Sequence, residues 1–305
     1  MIECPTDPDK ALHVVIFIFQ FVYLTLGFFL NLAIVNAVVG TKQFWKNTYF
    51  LIFALDCSVR IVSFIPDLLV FRIPNTLYFL CPYFLTGYGT PSWTLTPFFA
   101  YSSYQKMFKC GTQIVLSINR LSCVATPIGY YKTWSRAIYP VTVFLVIFPL
   151  SVTFILIPCR TYFMSNNGIA TLIYERYFEW ARLSYFTSFV LIATISISVV
   201  ANGLTFMLMV KNTSKSLLMK KSERSLCLAE IYMTFCMIIA LAYQLYYGLS
   251  NNSTVPLSYL ISLMTMDLFL YGSPLILVLS SGQLRRKLLP DYLQRSTLPV
   301  LSFVS

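Results

Sequence analysis

Twenty-eight consecutive residues, Leu12 to Val39, carry no charged side chain. As a helix rising about 1.5 Å per residue, such a run exceeds the roughly 30 Å hydrocarbon core of a bilayer. Further apolar runs follow at Tyr49–Phe71, Pro97–Ser122, Ile138–Ile157, Ala181–Val210, Leu226–Leu249 and Pro256–Leu279. The stretch from Arg72 to Thr96 is broken by Pro74, Pro82 and Pro91, and its apolar part, Leu77 to Leu85, is too short to cross. The expected fold is all-α: a polytopic, seven-transmembrane helix bundle over residues 12–279. An exposed tail (1–11) precedes it and a basic tail (280–305) follows. Residues 1–11 hold three acids and two prolines, whereas a signal peptide would begin with a basic stretch.

Composition spreads this conclusion over the whole chain. With 57% hydrophobic and 11% charged residues and a mean hydropathy of +0.71, a soluble body on one anchor is excluded, since soluble domains carry about 25% charged residues. The net charge of +11 therefore speaks to orientation and membrane lipids, and no nucleic-acid role is expected. His13 is the only histidine, so neither a His-based metal site nor a Ser-His-Asp triad is expected, and no cofactor or enzyme activity.

Cytoplasmic loops carry the lysine and arginine excess. The linkers after spans one, three and five, with the C-terminal tail, hold 14 basic residues: Lys42, Lys46, Arg120, Lys132, Arg136, Lys211, Lys215, Lys220, Lys221, Arg224, Arg285, Arg286, Lys287 and Arg295. The opposite side holds 5: Lys10, Arg72, Arg160, Arg176 and Arg182. The N-terminus is thus expected outside and the C-terminus in the cytoplasm. Sequons at Asn251 and Asn252 would face outside, and one at Asn212 inside. Of the outer cysteines Cys4, Cys81 and Cys159, at least one must be unpaired. Cys81 with Cys159 is the favoured disulfide, tying the two longer outer connections. The aromatics Tyr78, Phe79, Tyr83, Phe84, Tyr88 and Trp93 either cover the outer mouth or simply pack.

Charges inside spans mark interior positions. Ser102, Lys106, Lys109, Gln113, Ser117 and Arg120 recur every three or four residues, forming one helical face that must point into the bundle. By helical rise, Lys109 lies roughly 16 Å from Arg120 and Asp267 roughly 18 Å from Leu279. Their depths match, so Lys109 (or Lys106) is expected to pair with Asp267, or to present a cation to an anionic ligand group, or else Lys106 snorkels toward the outer interface. Asp56 and Arg60 stand at i, i+4 and can neutralise each other, or Asp56 joins Asn31 or Asn36. Asp67, near the outer end, is a ligand-mouth or interface charge. Glu230, about one turn into the sixth span, either meets Arg120 across the bundle, an arrangement whose breaking would release the sixth helix, or both are interfacial charges solvated independently.

The segment Ser117–Trp134, SINRLSCVATPIGYYKTW, carries Asn119, Arg120, Val124, Pro127, Tyr130 or Tyr131, and Trp134. This spacing resembles the NR-x-x-x-V-x-x-P-x-x-Y-x-x-x-W stretch of nematode serpentine chemoreceptors, in particular the class gamma family, on a G-protein-coupled receptor plan. The resemblance implies a chemosensory receptor on sensory-neuron cilia that binds a small molecule and signals to a heterotrimeric G protein. Arg120 would take the place of the arginine gating the G-protein cavity, with Asn119 where rhodopsin-like receptors carry an acid. Two rhodopsin-like features are missing: the position 25 residues before Arg120 is Leu95, not cysteine, and SPLILVL replaces NPxxY.

Three other classes fit less well. A seven-span ligand-gated cation channel of the insect odorant-receptor kind would have the inverse orientation. A small-molecule transporter would show paired broken helices, which Pro149, Pro158, Pro256 and Pro274 do not supply. An intramembrane aspartyl protease would need GxGD, which is absent.

Overall fold

The computed structural model describes residues 10–45, 47–166, 169–178, 180, 182–211, 217–249 and 256–288. Seven long helices lie within them: α1 Lys10–Gly40, α2 Thr48–Pro66, α3 Thr96–Ala125, α4 Tyr130–Ile147, α5 Leu183–Lys211, α6 Leu217–Leu249 and α7 Pro256–Ser280. Each apolar run begins in or beside one of them. The Ile138–Ile157 run continues past the end of α4 through a short helix at Leu150–Thr153 and a tighter turn at Phe154–Leu156, and the Tyr49–Phe71 run continues five residues past α2. Helices α4 and α6 begin eight and nine residues before their apolar runs, on polar and basic turns. Hydropathy marks the part of a helix that lipid covers, while hydrogen bonding carries the helix on into water. Cys4, Lys46, Lys215, Arg295 and the three sequons lie outside the described residues.

Five of these helices are long and apolar enough to span by composition alone. Helix α3 is not among them because of its polar stripe, and the apolar part described for α7, Met264–Ser280, is shorter. The bundle is arranged accordingly. Phe19, Leu26, Phe29, Val62, Phe189, Phe206, Met207 and Phe235 face outward, while Gln20, Asn31, Asp56, Arg60, Lys109, Gln113, Ser117 and Glu230 are buried. In lipid, apolar side chains gain little by leaving the surface, whereas polar ones must find partners inside. Close approach has its own residue: at Gly272 of α7 a Cβ would overlap the Tyr232 hydroxyl of α6.

Two irregularities shape the end of the bundle that holds the 160–175 connection. Pro66 ends the regular part of α2, and Asp67–Arg72 continue it as a π turn before Ile73–Thr76. Because that turn closes i to i+5, Asp67 and Arg72 come onto one inward face. The second irregularity is a β-hairpin, β1 Arg160–Asn166 against β2 Ile169–Glu175, antiparallel with Tyr162 opposite Ile173, in the connection between the fourth and fifth apolar runs. Around it a cap forms. Cys81, Leu95, Val70, Phe163, Ala170 and Leu172 share one apolar cluster, and Ser92 bridges to Thr161. Phe84 meets Phe163 at 5.2 Å and Phe99 meets Tyr174 at 5.4 Å between ring centroids. Of the aromatics in the connection between α2 and α3, Phe84 and Tyr88 pack under the hairpin, whereas Phe79, Tyr83 and Trp93 are exposed.

The expected Cys81–Cys159 disulfide is not formed. Cys159 is a buried free thiol that donates to the Ile155 carbonyl at 3.2 Å, while Cys81 is in a disulfide whose other half lies outside the described residues. Thr96 Oγ1, donating to the Cys159 carbonyl at 3.0 Å, does the tying expected of the sulfur pair.

Candidate functional site

The interior polar groups form three tiers along the bundle axis. Nearest the hairpin, Arg72 at the end of the π turn meets Asp267 of α7 with both guanidinium Nη groups, Nη1 to Oδ2 at 3.0 Å. Its Nε reaches Asp67 Oδ2 at 3.3 Å. Tyr23 of α1 donates its hydroxyl to Asp267 as well. One guanidinium therefore holds two carboxylates, and the tier joins α1, α2 and α7. A fork matching a carboxylate is what arginine supplies and lysine cannot.

The middle tier reverses the count. Asp56 of α2 accepts from Arg60 one turn along its own helix and from Lys109 Nζ of α3 at 3.0 Å. Lys109 also donates to Ser273 Oγ of α7 at 2.9 Å. Its ammonium lies 5.7 Å and 5.9 Å from the ring centroids of Phe53 and Phe269, close enough for cation–π attraction. One carboxylate here holds two cations, and Arg60 Nε and Nη1 find no acceptor among the described residues.

At the other end, Glu230 of α6, with no exposed surface, accepts from Tyr49 of α2 at 3.1 Å, from Gln113 of α3 at 2.7 Å and from Ser117 of α3 at 3.3 Å. Arg120 stacks its guanidinium 4.1 Å from the centroid of the Tyr49 ring. Tyr49 thus stands between the two charges expected to touch, face to Arg120 and hydroxyl to Glu230. Beside this hub, Tyr130 donates to Asn119 Oδ1 at 3.1 Å and Trp134 Nε1 to Ser122 Oγ at 2.6 Å. The Ser117–Trp134 motif is therefore a clasp between the end of α3 and the start of α4.

The structure gathers the candidates differently from the expected pairing. Lys109 pairs with Asp56, and Asp267 with Arg72, so the Lys109–Asp267 pair is corrected. The ends of α3 and α7 are not level. Helix α3 continues sixteen residues past Lys109 to Ala125, but α7 only seven past Ser273 to Ser280. At about 1.5 Å per residue, α3 overhangs α7 by roughly 14 Å. Asn31 bonds back to the Gly27 carbonyl at 2.7 Å and Asn36 is exposed, so neither joins Asp56. Lys106 is half-buried and makes no ion pair among the described residues.

Four contributors were not singled out in the sequence: Arg72, Tyr23, Tyr49 and Ser273. Arg72 had a signal, since Asp67 and Arg72 follow Pro66 at i, i+5. The tyrosines and the serine had none, because residues of those types abound in this chain. Among the described residues no cluster of His, Cys, Asp or Glu could hold a metal ion.

Comparison with known proteins now bears on what this bundle is. A family profile described as Srg family chemoreceptor matches residues 17–288. Among similar proteins of Caenorhabditis elegans, serpentine receptor class gamma-13 is 28% identical, over 94% of this chain and 86% of that protein. Serpentine receptor class gamma-4 is 31% identical, over 87% and 84% respectively. Class gamma-5 is 29% identical, over 89% and 84%. The match runs through all seven helices and all three polar tiers, and the chain belongs to the Srg family of serpentine, seven-transmembrane chemoreceptors.

Proposed function

We propose that this chain is a G-protein-coupled chemoreceptor of the plasma membrane, placed on sensory-neuron cilia, with its N-terminus outside. A small external molecule binds in the hairpin half and biases the basic end toward a G-protein-binding state. The observation that carries this reading is the Glu230 hub, a single buried carboxylate through which α6 is hydrogen-bonded to α2 and α3 beside Arg120. Loss of those bonds frees the basic end of α6, a two-state element that a distant ligand can bias.

The ligand region is read from Asp67, Lys106, Lys109, Gln113 and Asp267, to which Arg60 and Arg72 are added. Beneath the cap, Ser63, Asp67, Tyr101, Ser102 and Gln105 line a void of about 10 Å³, room for roughly one water. Binding therefore requires the helices under the cap to part. The Arg60 donors that find no acceptor and the Lys106 ammonium, which makes no ion pair among the described residues, suit a ligand with an anionic group.

Epitope access at each terminus, in intact and then permeabilised cells, tests the orientation. An N-terminal epitope reached on intact cells and a C-terminal one reached only after permeabilisation is expected; the reverse sends the reading to the channel class. Ligand-free nucleotide exchange on a co-expressed G protein tests the switch. Glu230→Ala should raise it at equal surface expression, and an unchanged rate removes the hub from the mechanism.

A further inference from the structure

Outside the three tiers, an open groove of about 520 Å³ lies at the start of α4, lined by Lys132, Thr133, Arg136 and Ala137. Lys132 and Arg136 stand at i, i+4, one above the other on one helix face, with Thr133 beside them. All three are exposed. Neither cation makes an ion pair among the described residues. The face is held at a fixed angle, because Trp134, on the other side of the same turn, is buried and bonded to Ser122.

Depth decides what meets this groove. The apolar run of α4 starts at Ile138, so Arg136 lies two residues and Lys132 six residues beyond it. By helical rise that is about 3 Å and 9 Å outside the hydrocarbon, and the headgroup layer occupies roughly 5–7 Å on each face. Arg136 therefore lies within that layer, and the long Lys132 side chain reaches back to the level of the lipid phosphates. Tyr131 and Tyr139, exposed at 60% and 77%, flank the groove where interfacial aromatics belong.

We propose that Lys132, Thr133 and Arg136 form a binding site for an anionic phospholipid whose headgroup carries a phosphate monoester, of the phosphorylated-inositol class. Two adjacent cations match a group carrying close to two negative charges better than a phosphodiester with one. The Thr133 hydroxyl adds a donor for a phosphate oxygen. The groove also has room for a sugar ring beyond the phosphate. Because the same turn carries the Trp134 and Tyr130 bonds to α3, an occupied site would steady the junction beside Arg120.

The test is native mass spectrometry of the full chain in detergent. It would be titrated separately with short-chain phosphatidylinositol 4-phosphate, phosphatidylserine, phosphatidylcholine and free inositol phosphate. One retained phosphatidylinositol phosphate is expected, in preference to the other two lipids, with the free headgroup at least tenfold weaker. Each neutralised cation should cost about fivefold in occupancy, so Lys132→Gln with Arg136→Gln should nearly abolish the adduct. The charge-keeping pair Lys132→Arg with Arg136→Lys should retain it, and Arg285→Gln with Arg286→Gln should leave it unchanged. Equal retention of phosphatidylcholine, or an undiminished adduct in the neutralised pair, overturns the proposal. So does a neutralised pair that weakens G-protein engagement with lipid occupancy unaltered, which would make the groove a protein-docking surface.

Discussion

The two ends of this bundle are fastened by different chemistry. Toward the hairpin, α7 is held to α2 and α3 by full charges: Arg72 to Asp267, and Lys109 between Asp56 and Ser273. Toward the basic end, α6 is held by one carboxylate that accepts from a phenol, an amide and a hydroxyl. A buried ion pair left with one partner is expensive, whereas a neutral donor that loses its acceptor costs less. The difference teaches which helix the fold can release. Helix α7 is a fixed strut of the hairpin half, and α6 is the member whose attachment can be traded.

The largest effect expected is at the strut. Asp267→Ala leaves Arg72 with Asp67 alone and Tyr23 without its acceptor, at a cost of about 3–5 kcal/mol. Most of the protein should fail to reach the cell surface. The double variant Arg72→Met with Asp267→Leu removes both charges and should recover surface delivery. A single variant that traffics normally would erase the contrast between the two ends.

The middle tier should show an asymmetry of its own. Lys109→Met takes away a charged hydrogen bond but leaves Asp56 paired with Arg60, a loss of about 1.5–3 kcal/mol. Asp56→Ala strands two buried cations and should cost more. Thermal unfolding of the purified chain ranks the two. If Lys109→Met proves the worse, the ammonium contributes chiefly through Ser273 and the aromatic rings, and α3 depends on α7 more than on α2.

Much of this was legible before any coordinates. The seven helices follow from apolar runs, and the inward stripe of α3 from its spacing of charged and polar residues, since Lys109, Gln113 and Ser117 are all buried and bonded. The pairing was not legible. It depends on the relative heights of α2, α3 and α7, and neither helix overhang nor the π turn after Pro66 is encoded in periodicity. The hairpin did carry a signal: Asn167-Gly168 between two runs with high β propensity is a strong short-range hairpin cue. Its position between apolar spans masked it, because a connecting segment gives no hydropathy contrast to strand alternation.

At the basic end a smaller loss of stability should come with a larger change in behaviour. Glu230→Gln keeps an acceptor oxygen for Tyr49 or Gln113 but loses the charge, costing about 1–2 kcal/mol. The melting temperature should fall by a few degrees while ligand-free G-protein exchange rises. The reverse outcome, a large drop in stability with no gain in exchange, would make Glu230 a strut like Asp267.

The mildest change tests whether the clasp between α3 and α4 belongs with the strut or with the releasable helix. Trp134→Phe keeps an aromatic ring in a buried site and removes one indole donor, leaving Ser122 Oγ its own bond to the Asn119 carbonyl at 2.8 Å. The loss should be about 0.5–1.5 kcal/mol. Because Asn119 adjoins Arg120 and also accepts from Tyr130, slack here would loosen Arg120 over the Tyr49 ring without touching Glu230. Exchange in Trp134→Phe should therefore rise less than in Glu230→Gln, and the double variant should show less than the sum of the two, since both act on the same Tyr49–Arg120 stack. Full additivity would separate the clasp from the hub and confine the releasable element to α6 alone.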